Sequence, residues 1–463
     1  MFVKQIVDES LGNSSYLVAS KETGQAALID PQRDVERYVQ IAEGLGLKLT
    51  HALETHLHAD FVSGLRELAE RYQLVIGASS ESHLAFSHLR LQEGDTIDLG
   101  ELSLGVVATP GHTPEHVSFT LRETDKHTPS AIFTGGSLIV GGAARTDLLG
   151  HHLTKPLTHL LYHTIHDTLL QFPDDVIVYP THGAGSFCNT PSSSERVTTI
   201  GNERKWNPLA QARTDQEFLN LALEGLPSYP TYFQYLRAVN QLRTRVLKGL
   251  PRLHALTPRQ VQEQMEQGVF ALDTRSARQF AASHIPKAYG IPLNTPLNTW
   301  AGWVIPFNAP LILIEEDPSK REQAMRQLFR IGYDEIRGFL DGEMMAWEAE
   351  GFPVARVPVM SVGELYNTRA NLPALAVLDV RQDAEWRAGH LEGAIHIEGG
   401  QLDKGELALA KEQGIVVHCG HSDRSTVAIS LLERRGYQNV RLLYGGFSAW
   451  EKAGYPVVGS TKS

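Results

Sequence analysis

Four short segments hold the residue types that chemistry needs. Thr55-His56-Leu57-His58-Ala59-Asp60-Phe61 sets two imidazoles at i and i+2. On an extended segment such residues point the same way, so His56 and His58 can converge on one point. Thr109-Pro110-Gly111-His112-Thr113-Pro114-Glu115-His116 supplies His112, and Tyr179-Pro180-Thr181-His182-Gly183 supplies His182. Imidazole is the commonest metal ligand near neutral pH, so these segments read as a metal centre. The fourth segment is His418-Cys419-Gly420-His421-Ser422-Asp423-Arg424-Ser425. A Cys in a loop wrapping onto a helix N-terminus meets several backbone N–H donors and the positive end of the helix dipole. That cradle favours a thiolate, and it equally favours a persulfide anion on Cys419. Arg424 adds positive charge there, and Ser422 and Ser425 can donate hydrogen bonds.

The elements that must position these groups follow from the pattern. Short apolar runs at 2–7, 15–19 and 26–29 read as strands, with helices at 35–45 and 64–72 and further strands at 131–134 and 176–179. Each histidine segment follows a predicted strand, so their loops can meet at one rim of an α/β sandwich. Residues 415–417 read as the strand before Cys419, and 426–435 as the helix after it. His116 reads as a structural residue, and His83, His88, His151 and His152 as surface residues.

The C-terminal half contains an internal repeat. Leu272-Asp273-Thr274-Arg275 precedes Phe280 and His284; Leu378-Asp379-Val380-Arg381 precedes Trp386 and His390. Asp to His is 11 positions in both copies, and each copy ends in a Trp, Trp347 or Trp450. The expected domains are 1–252 with a helical extension, 253–357, and 358–463. In the first copy the segment matching the Cys419 loop is Ile314-Glu315-Glu316-Asp317-Pro318, which has no Cys and three acids. It reads as catalytically silent, with docking or spacing as its expected job.

Composition narrows the function. The 463 residues carry a formal charge of −11, which argues against nucleic acid or an anionic membrane as the main partner. No apolar run approaches the ~18 residues of a transmembrane helix. Cys188 and Cys419 are the only cysteines, too few for a disulfide framework. The N-terminus reads as a first strand and not as a signal peptide, so the expected location is the cytoplasm. A homo-oligomer is expected. Cys188 reads as a small packing residue, with sulfur relay from Cys419 as the alternative.

These motifs resemble the metallo-β-lactamase superfamily, and within it the glyoxalase II and persulfide dioxygenase branch, over roughly residues 1–205. The resemblance implies an αββα sandwich in which His56 and His112 match metal histidines. The loop from Cys419 to Arg424 resembles the active loop of rhodaneses, so two rhodanese-like α/β domains are expected after the sandwich. The order of domains is similar to bacterial persulfide dioxygenase–sulfurtransferase fusions. It implies one divalent metal per chain, iron ahead of zinc, and oxidation of a low-molecular-weight persulfide to sulfite. Cys419 would exchange sulfane sulfur with a thiol, a persulfide or a sulfur-carrier protein. Arg145 matches an Arg near the active site of persulfide dioxygenases and could hold a substrate carboxylate; a loop salt bridge to Asp147 is the other reading.

Two departures mark the metal site. Phe61 stands where the family has His, and Gly136 stands where it has the Asp ligand. They leave three readings: Asp60 or Asp147 supplies the charge; His58 joins His56 and His112 in a neutral set more typical of zinc; or no metal binds. The functional alternatives are a zinc thioester hydrolase fused to a sulfurtransferase, or a metal-free scaffold for the C-terminal domain.

Overall fold

The structure is a computed structural model, and it describes residues 1–188, 194–242, 245–369 and 375–459. It divides into two compact units, Met1–Pro251 with Phe329–Gly332, and Arg252–Leu328 with Tyr333–Ser463.

The first unit is built on two six-stranded sheets. One runs Phe2–Asp8, Asn13–Ala19, Gln25–Ile29, Lys48–Leu53, Val75–Ser79, Leu89–Leu91 in spatial order. The other runs Thr198–Thr199, Ile177–Pro180, Ala131–Gly135, Val117–Glu123, Leu102–Ala108, Thr96–Asp98. Alternation along Leu102–Ala108 turns Leu102, Leu104 and Val106 inward, where they pack with Tyr16, Val18, Ile29 and Phe133 in a core shared by the two sheets. Asn13–Ala19 is buried throughout, so both of its faces are covered. Its other face packs with Tyr38 of helix Glu36–Gly44 and Leu68 of helix Leu65–Tyr72. Helices His151–His163 and Asp215–Leu223 bring Leu161 and Phe218 against Ile132 and Val178 of the second sheet. The four layers are the expected αββα sandwich.

The sandwich gathers its loops at one rim. Asp30, Thr55, Thr109, Gly136 and Thr181 each lie just past a strand end. The N–H of Val117 donates to the Thr55 carbonyl (2.8 Å), that of Thr181 to Gly135 (2.9 Å), and that of Ser14 to Thr181 (2.8 Å). The first and third of these bonds tie the two sheets together where the histidines emerge, and the second extends the pairing within the second sheet.

The second unit contains two parallel five-stranded sheets of identical topology. One runs Ala255–Leu256, Ile336–Leu340, Leu311–Ile314, Phe270–Asp273, Tyr289–Gly290; the other Val359–Met360, Val440–Leu443, Ile415–His418, Ala376–Asp379, Ile395–His396. The repeat markers are contacts. Arg275 forks onto Asp273 (2.9 and 2.6 Å) and donates to the Ser283 carbonyl (2.7 Å). Arg381 does the same with Asp379 and the Gly389 carbonyl. Each buried ion pair thus also closes a helix C-terminus. His284 stacks on Phe280 at 3.8 Å and His390 on Trp386 at 3.6 Å, each with Nδ1 on the carbonyl four residues back. Trp347 and Trp450 donate to the Pro353 and Pro456 carbonyls (2.9 and 2.8 Å).

The two repeats also touch each other. His284 Nε2 lies 2.9 Å from Glu433, and Arg434 lies over the Tyr289 ring at 4.0 Å. Trp303 packs on Gly400.

Candidate metal centre and cysteine loop

One ring nitrogen from each of His56, His112 and His182 lies within 4.8 Å of the others, and all three residues are buried. Their remaining nitrogens are occupied. His112 Nδ1 sits 2.6 Å from the Arg145 carbonyl, His56 Nδ1 2.8 Å from Thr55 Oγ1, and His182 Nδ1 3.1 Å from Asn13 Oδ1. An acceptor on Nδ1 fixes the proton there and leaves Nε2 with its lone pair free, the arrangement that metal-ligating histidines use. His56 Nε2 and His182 Nε2 are 3.3 Å apart. Burial, then neighbouring imidazoles, pushes His56 well below the ordinary histidine range, and burial takes His112 down to about 3. Three convergent imidazoles with capped Nδ1 atoms fit a divalent metal.

His58 has other partners. Its Nε2 lies 3.3 Å from Asp30 and 3.8 Å from Glu54, and its ring stacks on Phe61 at 4.0 Å. Burial opposes its charge, but Asp30, Glu54 and Asp60 outweigh that and hold the imidazole above its usual range. Asp30 is the site residue that sequence reasoning missed. It also accepts from the Thr55 N–H (2.7 Å) and from the Thr55 and Thr181 hydroxyls, joining three loops. Asp60 accepts from Asn13 Nδ2 (2.8 Å) and lies 3.4 Å from His182 Nδ1. His58, Asp60 and His182 form a second grouping of metal-capable atoms.

Gly136 leaves no room for the family's carboxylate. A Cβ there would stand 2.5 Å from His112 Cδ2 and 3.0 Å from the Ala144 methyl. Its N–H donates to His116 Nε2 (3.0 Å), whose Nδ1 meets Thr109 and Ser137 hydroxyls, so both His116 nitrogens are used structurally. Asp147 is forked by Arg145 at 2.6 and 2.7 Å. Arg145 also donates to the Pro227 carbonyl (2.9 Å) and lies 4.6 Å from the Tyr229 ring centre, so its guanidinium is committed within the chain. Cys188 is fully buried, and burial followed by nearby Asp60 pushes its thiol well up.

Helix Phe233–Gln241 and the turn before it hold the histidine loop from outside. Asn240 Nδ2 donates to the His58 and Phe61 carbonyls (2.8 and 2.9 Å), and the Tyr232 hydroxyl donates to the Asp60 carbonyl (2.8 Å). Arg237 forks onto Glu115, which accepts from the Leu57 N–H (3.0 Å).

In the last repeat Cys419 follows strand Ile415–His418, and the helix begins at Asp423, three residues before the expected start. Asp423, Arg424 and Ser425 therefore form its first turn. Cys419 is 1% exposed. Its carbonyl accepts from the Phe447 N–H (2.7 Å), and Gly420 accepts from Ser448 (2.9 Å). Gly446, at φ +54°, packs where a Cβ would meet the Cys419 and His421 carbonyls at 2.4 and 2.6 Å. Ser422 Oγ donates to the His421 carbonyl (2.7 Å) and accepts from the Gly445 N–H (3.0 Å), so it shapes the loop. Ser425 Oγ is buried and has no hydrogen-bond partner among the described residues. Arg424 is forked by Glu385 at 2.6 and 2.8 Å.

In the other repeat Glu315 takes the place of Cys419. Its Oε1 accepts from the N–H groups of Glu316 (3.1 Å) and Asp317 (3.2 Å), and its Oε2 from the Thr274 hydroxyl (3.1 Å).

Family models place this geometry. The metallo-beta-lactamase superfamily matches residues 9–182, and the rhodanese-like domain matches twice, at 257–350 and 361–453. The chain belongs to the metallo-β-lactamase superfamily, as a fusion of that domain with two rhodanese-like domains. Among its relatives is the mitochondrial persulfide dioxygenase ETHE1 of Homo sapiens, 32% identical over 212 residues, spanning 45% of this chain and 75% of the relative. A hydroxyacylglutathione hydrolase of Rhodopseudomonas palustris is 31% identical over 223 residues, spanning 47% and 77%. A solved metallo-beta-lactamase from Staphylococcus aureus superposes with TM-score 0.67 at 29% identity, covering 73% of this chain and 98% of that one. The persulfide dioxygenase relative and the rhodanese-like domains together support a role in sulfur metabolism, and the metallo-β-lactamase fold implies a divalent metal. Among the described residues no helix is long and apolar enough to cross a membrane.

Proposed function

We propose that the chain both oxidises a low-molecular-weight persulfide and transfers sulfane sulfur. The observation that carries this reading is the pairing, in one chain, of three imidazoles with free Nε2 atoms and a Cys held at a helix N-terminus. In the transfer half, the Cys419 thiolate attacks the outer sulfur of thiosulfate, the S–S bond breaks, and sulfite leaves: Cys–S⁻ + S–SO₃²⁻ → Cys–S–S⁻ + SO₃²⁻. An acceptor thiolate then removes the outer sulfur and regenerates Cys419. The N-terminal turn of helix Asp423–Arg434 stabilises the persulfide anion, and Ser425 Oγ, buried without a partner, is free to donate to it. In the other half, glutathione persulfide is oxidised: GSSH + O₂ + H₂O → GSH + SO₃²⁻ + 2 H⁺. His56, His112 and His182 would hold the metal, iron in this reading. When bound, it supplies the redox centre at which persulfide and oxygen meet. Thr55, Asn13 and the Arg145 carbonyl fix the ring orientations.

A second reading is a zinc-dependent thioester hydrolase beside the sulfurtransferase. The neutral three-imidazole set favours it, because that set is a common zinc donor. Metal analysis of anaerobically purified protein separates the two. Stoichiometric iron with oxygen uptake on glutathione persulfide supports the dioxygenase, and both are expected to vanish in His112→Ala. Zinc with thioester cleavage and no oxygen uptake would replace it with the hydrolase.

A further inference from the structure

The Cys419 loop handles anions, yet its own cations are committed. Arg424 is neutralised by the bidentate Glu385 contact, and Arg381 by buried Asp379. Arg278 lies in helix Ala277–Ala282 of the repeat that has no Cys, and it is exposed. Its guanidinium sits over the Tyr444 ring, 4.4 Å from the centroid, and it forms no ion pair among the described residues. Tyr444 immediately precedes Gly445 and Gly446. Gly445 donates to Ser422, and Gly446 packs on the Cys419 and His421 carbonyls. The aromatic face therefore fixes an unneutralised cation beside the backbone that closes the cysteine loop.

We propose that Arg278 is a specificity residue of the Cys419 site, lent by the silent repeat. It binds the second negative charge of a sulfur donor or acceptor, the charge that takes no part in sulfur transfer, as a guanidinium binds a sulfonate or carboxylate. This rests on the sulfur-transfer reading of Cys419. It gives the Cys-free repeat a task beyond spacing: part of the recognition surface of its neighbour.

The test is steady-state sulfur transfer by the full chain, with thiosulfate as donor and either glutathione or uncharged 2-mercaptoethanol as acceptor. Arg278→Gln should raise KM for an anionic partner ~10-fold, the loss expected for one charge-assisted hydrogen bond, with kcat and the KM for 2-mercaptoethanol held within ~2-fold. Arg278→Lys should recover much of that loss. A rise confined to thiosulfate assigns the sulfonate as the bound group, and a rise confined to glutathione assigns a carboxylate. Unchanged KM values, or a fall in kcat alone, overturn the proposal. A second readout needs no turnover: the rate of Cys419 alkylation by iodoacetate relative to iodoacetamide, followed on its peptide, should fall several-fold in Arg278→Gln. If wild-type Cys419 neither transfers sulfur nor alkylates, the transfer reading fails and takes the Arg278 assignment with it. If it does both and the alkylation ratio is unchanged, only the assignment fails.

Discussion

The two rhodanese-like repeats share strand order, the Asp–Arg clamp, the stacked His and the capping Trp, and they differ where a strand meets a helix. One repeat places Cys419 there, ahead of a helix whose first turn holds a Ser425 hydroxyl with no partner among the described residues. The other places Glu315, whose carboxylate already accepts from the loop's own N–H groups. Those two N–H groups are already taken by the chain's own anion, which would also repel a persulfide. The contacts that make the domain are duplicated, and the cysteine cradle for which sulfur transfer is proposed occurs once.

The largest effect should come from Cys419→Ser. Thiosulfate:cyanide transfer should be lost while metal content stays at the wild-type level; residual transfer at the wild-type rate would break the comparison, because the Cys-free repeat would then be active. Next come the clamps. Arg275→Ala and Arg381→Ala each strand a buried carboxylate, and urea unfolding should show each losing ~3–5 kcal/mol in its own repeat. Unequal losses would mean that the clamp is not the shared structural unit. Ser425→Ala removes a buried hydroxyl that has no partner, so stability should hold within ~0.5 kcal/mol. Transfer should nonetheless slow ~10-fold if that hydroxyl donates to the persulfide anion. The smallest effect belongs to Glu315→Gln. The amide oxygen can still accept both N–H groups, so stability should change by less than ~1 kcal/mol, and no transfer should appear in a Cys419→Ser background.

The repeat was legible because its markers are contacts with fixed geometry. Asp273 and Arg275 must be two apart to fork, and His284 must follow Phe280 by four to stack and reach its carbonyl. The sandwich was legible from strand punctuation and from histidines placed after strands. Within the metal centre the reading was less complete. The i, i+2 spacing does bring the His56 and His58 rings to 4.1 Å, but His58 faces Asp30, and His182 takes the third place beside His56 and His112. Asp30 gave no signal, because a lone Asp after a strand has no spacing partner in the chain. The positive φ of Asp30 (50°), which helps aim its carboxylate, is invisible in sequence. The Arg145–Asp147 salt bridge was one of the two readings of the sequence, while the bonds of Arg145 to the Phe187 and Pro227 carbonyls depend on residues 42 and 82 positions away. Nor could spacing show that Arg278 meets Tyr444 across the repeat boundary.

Gly136 also sets the order in which this protein can change. The His112 ring fills the space that a side chain at 136 would need. A carboxylate placed there by one substitution meets that ring first. A side chain at 136 is therefore accommodated only if the loop carrying His112 shifts as well. Positions 112 and 136 compete for one volume, so a substitution at 136 acts on the His112 imidazole before it acts on anything else.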